Sequence, residues 1–115
     1  MAASYDELRA RLRRFVDERA WDAFHTPKDL AMSVAIESAE LLEVFQWRDL
    51  QAADLAPEDR ARIGEELADV LLYAMLLADK TGVDLLDAVA RKLEENARKY
   101  PADKARGRAD KYDRL

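Results

Sequence analysis

The sequence predicts an all-α fold: a four-helix bundle with a C-terminal tail, assembling into a homo-oligomer. Three observations carry this. Half of the residues are hydrophobic and 37% are charged, with only three Gly and three Pro, the balance of a compact helical domain. Apolar residues recur at helical spacing through four segments bounded by cap and breaker signals, and no segment shows the two-residue alternation of a strand. The segment VLLYAMLLA, Val70 to Ala78, is apolar on every side, which marks a buried helix. Four helices of this size do not easily enclose one of their own number, so a second copy of the chain is expected to cover the remaining face.

Each element has a local reason. Ser4-Tyr5-Asp6-Glu7 has the form of a capping box, and Tyr5, Leu8, Leu12, Phe15 and Val16 follow at helical spacing. This first helix is expected to fade near Ala20. WDAFHTP, Trp21 to Pro27, reads as a loop with two aromatics and the sole histidine. Thr26 before Pro27 opens the second helix, a capping hydroxyl followed by a proline at the first helical position, and the helix is expected to run to about Trp47. RDLQAADLAP is a polar connection. Pro57 with Glu58 and Asp59 starts the third helix, expected to end near Lys80 with Gly82 as its stop. Asp84 caps the fourth, which ends before Tyr100-Pro101 because a proline disfavours helix in the residue before it. The remainder, ADKARGRADKYDRL, shows no periodicity. The expectation is one domain over residues 1–115, with a basic tail at 102–115.

Composition excludes several functions. There is no cysteine, so disulfides, zinc-thiolate centres and thiol nucleophiles are ruled out. The polar, charged N-terminus is not a secretory signal, and the longest apolar run of nine residues falls short of the about 20 needed for a membrane span. A cytoplasmic protein with no membrane partner is expected. The net charge of −5 argues against a nucleic-acid partner. That charge is unevenly spread: residues 91–115 carry +4 and the first 90 carry −9. An acidic body with a basic tail suits a polyanion held to the acids through a metal and to the tail directly.

The acids themselves are patterned. In AIESAELLEVFQW, Glu37 and Glu40 lie about 60° apart on one helix face, with no Lys or Arg between Asp29 and Trp47 to neutralise them. In EELADVLLY, Glu66 and Asp69 repeat the spacing and Tyr73 extends the stripe; Arg62 is within reach of Glu66, but Asp69 has no local base. Half-buried acids crowded on apolar helices repel one another and are costly unless paired. A divalent cation resolves this, and Mg²⁺, which takes oxygen ligands and recruits phosphates, fits best. One E-x-x-E pair is weak, because Glu is common in helices; two such pairs without local bases are not. Competing chemistries fail on inventory. A di-iron carboxylate bundle needs two Glu-x-x-His motifs, and His25 is alone. Ser33 and Ser38 have no histidine near them for a triad, and three glycines make no phosphate loop. Glu43 could support a metal-bound water or face solvent, and Glu65 points away from Glu66 by about 100°.

The ordered set E37-S-A-E40, 25 intervening residues, E66-L-A-D69 resembles the ExxE…ExxD signature of the MazG-like, all-α nucleotide pyrophosphohydrolases. ERAWDAFHTPKDL, LLEVFQW, EELADVLLY, ARKLEENARKYP and ARGRADKY extend the likeness over nearly the whole chain, closest to the dCTP pyrophosphatase subgroup. The resemblance implies a Mg²⁺-dependent enzyme, with Mn²⁺ as substitute, that converts a nucleoside triphosphate, dCTP or a modified dCTP, to monophosphate and pyrophosphate in nucleotide-pool cleansing. It also implies a homo-oligomer, a tetramer built as a dimer of dimers. Carried over by position, Glu37, Glu40, Glu66 and Asp69 become catalytic residues and metal ligands. Trp21, His25, Trp47 and Tyr73 fall near base and sugar, and Lys92 and Asn96 near the phosphates, with Tyr100, Arg108, Lys111 and Tyr112 as looser tail candidates. Two alternatives stay open: the same chemistry on another nucleotide, as in other MazG-type or phosphoribosyl-ATP pyrophosphohydrolases, or a non-catalytic helical module that binds nucleotides or dimerises.

Overall fold

The computed structural model describes residues Ala2–Leu115, and among them every regular element is helical. The chain divides into two compact units, residues up to Gly82 and Val83–Leu115. The first holds α1 (Tyr5–Glu18), α2 (Pro27–Glu43) and α3 (Pro57–Thr81); the second holds α4 (Leu85–Lys99) and the single turn α5 (Ala102–Ala105). Short 3₁₀ turns lie at Asp22–Phe24, Ala52–Asp54 and Tyr112–Arg114.

The caps follow the sequence closely. The Ser4 hydroxyl accepts the Glu7 N–H at 3.1 Å, Thr26 accepts that of Asp29 at 3.1 Å and Asp84 accepts that of Asp87 at 3.1 Å. At α3 the carboxylate of Asp59 accepts the Ala56 N–H at 3.1 Å and takes both arms of the Arg48 guanidinium at 3.0 and 3.2 Å. This pair ties the segment that follows α2 to the first turn of α3 across the connection. Gly82 closes α3 at φ +72, a left-handed conformation that glycine adopts without a Cβ penalty.

Two expected helix ends need correction. Helix α2 stops at Glu43, not near Trp47: Val44, Phe45 and Gln46 bond three residues back to Leu41, Leu42 and Glu43, and Trp47 at φ +63 turns the chain away. Helix α1 ends at Glu18, because Ala20 adopts φ +53 and Trp21 N–H returns to the Val16 carbonyl at 3.1 Å. The tail, which shows no periodicity in sequence, still holds local structure: α5 forms after Pro101, and Tyr112 packs edge-on against Tyr100 at 6.2 Å beneath the Lys99 ammonium.

The main packing of the first unit is α2 against α3. Leu30, Val44, Met75 and Ala78 are buried there, and Val16 is the buried residue of α1. The all-round apolar α3 is not enclosed by the chain itself. Leu67, Leu71 and Leu72 are 50%, 53% and 38% exposed, and Met32 and Ile36 of α2 are about half exposed.

Candidate functional site

The α2–α3 seam brings three of the patterned acids together. Glu37 and Glu40 stand one turn apart on α2 and Glu66 faces them from α3, each partly buried. One carboxylate oxygen from each lies within 4.8 Å of the others. Oε2 of Glu37 and Oε2 of Glu66 are shielded from solvent and accept no hydrogen bond. Hydrogen bonding with Glu40, then burial, then the charges of Glu40, Asp69 and Glu66 push Glu37 up to about 7. Burial, with the charges of Glu40 and Asp69, raises Glu66 as well, against the opposing pull of Arg62.

These residues fit a hard divalent cation. Oxygens bound at about 2.1–2.5 Å to a common centre stand at most about 4–5 Å apart, the spacing found across the seam. Orphaned buried carboxylate oxygens are what such an ion satisfies and what a solvated acidic face does not leave behind.

Asp69, one turn beyond Glu66, lies outside this triple, although its charge bears on both Glu37 and Glu66. It lines an adjoining cavity of about 230 Å³ together with Trp21, His25 and Tyr73. Three of the four residues expected around a base and sugar therefore share one cavity, and Asp69 links that cavity to the acidic cluster. Apolar walls complete it: Leu12, Phe15 and Val16 from α1, Leu72 and Leu76 from α3. Phe15 meets Trp21 edge-on at 5.6 Å. Nothing in the chain marks these apolar residues beyond a helical stripe, which is equally the mark of core.

Trp47 is not in this cavity. It is 94% exposed and strained at φ +63, a conformation seldom taken by a bulky residue. Glu43 and Glu65 are exposed. In the second unit Lys92 and Asn96 stand one turn apart on exposed α4, with Lys92 3.5 Å from Glu95. In the tail, Arg108 pairs with Asp110 at 2.9 Å and donates to the Arg114 carbonyl at 3.1 Å; Lys111 is exposed, and Tyr100 and Tyr112 form the aromatic pair already described.

An acidic seam whose spacing fits a divalent cation, beside an aromatic cavity, marks an all-α protein with one candidate site on its α2–α3 unit. The chain belongs to the MazG-like family, whose model matches residues 32–115. It is 40% identical over 113 residues to dCTP pyrophosphatase 1 of Mus musculus and 39% identical to that of Homo sapiens, covering 96% of this chain in each case. The chain spans 66% of the length of these two relatives. A solved pyrophosphatase structure from Archaeoglobus fulgidus DSM 4304 is similar with a TM-score of 0.75 at 44% identity, covering 88% of this chain and 95% of that one.

Proposed function

We propose that the protein is a Mg²⁺-dependent pyrophosphohydrolase that cleaves a nucleoside triphosphate between its α and β phosphates, giving nucleoside monophosphate and pyrophosphate. The observation that carries this is the convergence of Glu37, Glu40 and Glu66 within 4.8 Å, with two buried, unsatisfied oxygens, next to a cavity that shares Asp69. The family and the names of its relatives support the same chemistry.

Glu37, Glu40, Glu66 and Asp69 hold the divalent ion, which supplies charge neutralisation for the phosphates and polarises their oxygens. One of these carboxylates, or a neighbour, orients the attacking water. Trp21 and Tyr73 present aromatic faces to the base, and stacking of this kind is worth about 1–3 kcal/mol per base. His25 and Asp69 offer polar contacts to base and sugar from the same cavity. Lys92 and Asn96, with Tyr100, Arg108, Lys111 and Tyr112 from the tail, serve the departing pyrophosphate; lysine acts as a point charge and arginine as a bidentate clamp. This role asks Lys92 and Arg108 to exchange their acidic neighbours for phosphate. Cytosine deoxynucleotides are the favoured substrates, consistent with the names of the related dCTP pyrophosphatases, and pool cleansing in the cytoplasm is the favoured role. The working form is a homo-oligomer, a tetramer in this reading.

Product analysis tests the proposal. With Mg²⁺ and a panel of canonical and modified nucleoside triphosphates, monophosphate and pyrophosphate are expected, fastest from dCTP or a modified dCTP. Glu40→Gln abolishes turnover. Turnover of another nucleotide alone would discard the substrate and keep the chemistry, and no turnover at all would favour a binding module.

A further inference from the structure

The aromatic cavity has one wall on α3 and the facing wall on α1. The α1 wall is thinly anchored by apolar packing. Val16 is buried, but Phe15 is 43% and Leu8 is 37% exposed. What grips α1 instead is polar. Arg9 and Arg13, one turn apart, both reach the carboxylate of Asp79 near the end of α3. Arg9 donates through Nη2 at 2.6 Å and Nε at 3.0 Å; Arg13 donates through Nε at 2.8 Å and also through Nη2. Charge-assisted, multidentate contacts of this kind are strong and geometrically restrictive.

The grip is close to the cavity. Arg13 sits between Leu12 and Phe15 in sequence, and Asp79 follows Tyr73 by six residues, about 9 Å along α3. Arg13 and Asp79 line a second cavity of about 190 Å³ that shares Val16, His25 and Leu76 with the first. A slide or roll of α1 would therefore move Leu12, Phe15 and Val16 relative to Tyr73 and carry the Phe15–Trp21 contact with it.

We propose that Asp79, held by Arg9 and Arg13, is a positioning residue that sets the width of the aromatic cavity and thereby the fit of the base. The proposal rests on the nucleotide reading given above. None of the three side chains lies in the wall of the aromatic cavity, so they act through α1 and not by contact with the base. Lys80 adds a second tie of the same kind, 2.7 Å from Asp22 in the loop that carries Trp21 and His25.

The test compares Arg9→Gln, Arg13→Gln and Asp79→Ala with the wild type. Three readouts are taken: steady-state kinetics with dCTP, calorimetric titration with Mn²⁺ alone, and the indole N–H resonance of Trp21. The expected result is a KM raised about threefold to tenfold in each arginine variant and more in Asp79→Ala, with kcat within twofold. Mn²⁺ affinity is unchanged, because the acidic seam lies on α2 and α3, and the Trp21 resonance shifts or broadens. The single arginine variants keep the question open to decision if Asp79→Ala fails to fold. Folded variants with unchanged KM and an unmoved indole signal overturn the proposal, as does a fall in kcat at constant KM. A wild type that neither binds nor hydrolyses any nucleotide refutes the functional reading instead; the indole signal alone then decides whether the clamp positions the cavity.

Discussion

Glu37 shows how much one side chain's surroundings determine. Its carboxyl is pushed up to about 7 by Glu40, by burial and by the neighbouring acids, which is the opposite of a salt-bridged carboxylate. A folded-state value above the unfolded 4.5 means that the folded chain holds a proton the unfolded chain has released. This contribution to stability is complete below about 4.5, is lost as pH rises, and is gone above about 7. Metal-free protein is therefore expected to lose melting temperature between pH 5 and pH 8, and millimolar Mg²⁺ to abolish most of that loss. A flat profile without metal would contradict the crowding. Asp79, held down to about 2 by Arg13 and Arg9, acts in a different window: its stabilisation is present above the unfolded 3.8 and lost as pH falls through 2. The same crowding predicts that Glu37→Ala or Asp69→Ala loses turnover while melting at the wild-type temperature or above, since one repelling charge is gone; scanning calorimetry beside an activity assay checks both halves. Ala20, at φ +53, pays for a left-handed conformation that glycine takes freely. Ala20→Gly is expected to stabilise the chain by about 0.5–1 kcal/mol, the left-handed penalty of about 1–2 kcal/mol less glycine's extra entropy cost. Denaturant unfolding measures it.

At the scale of elements, what could be read from the sequence depended on whether the signal was local. Caps and stops are local, so Ser4, Thr26, Asp84 and Gly82 stand where the chain places them. The acids Glu37, Glu40 and Glu66 were legible because three-residue spacing fixes a helix face, and the absence of bases near Glu37 and Glu40 was visible in the chain. The end of α2 was not legible: nothing in VFQW announces that Trp47 will turn left-handed. The Asp79 clamp was hidden too, because Arg9 and Asp79 are 70 residues apart and meet only once α1 lies along α3. The tail is the element whose purpose is most directly testable. Pro101 starts α5, and the Tyr100–Tyr112–Lys99 contacts fold the tail back on the end of α4. Deleting residues 102–115 is expected to raise KM far more than it changes assembly, because the tail's basic residues are assigned to phosphate. Loss of assembly with KM unchanged would make the tail a structural clasp.

For the whole molecule, the surface is the informative feature. No helix among the described residues is long and apolar enough to cross a membrane, yet Leu67 and Leu71 of α3 are half exposed, as are Ile36 and Met32 of α2. Leu67 and Leu71 stand one turn apart on α3, and exposed apolar residues clustered in this way mark association. The acidic seam runs between the same two helices. A second copy packed over this face would bury the apolar stripe and narrow water's access to the carboxylates, strengthening every charge interaction there. Assembly and catalysis should therefore fail together when the stripe is broken. Light scattering at micromolar concentration is expected to give the mass of a dimer or tetramer, and Leu71→Glu to shift it toward monomer with turnover falling in parallel. A wild type that is monomeric yet fully active would separate the two, and would leave the exposed leucines of α3 without a role in the reaction.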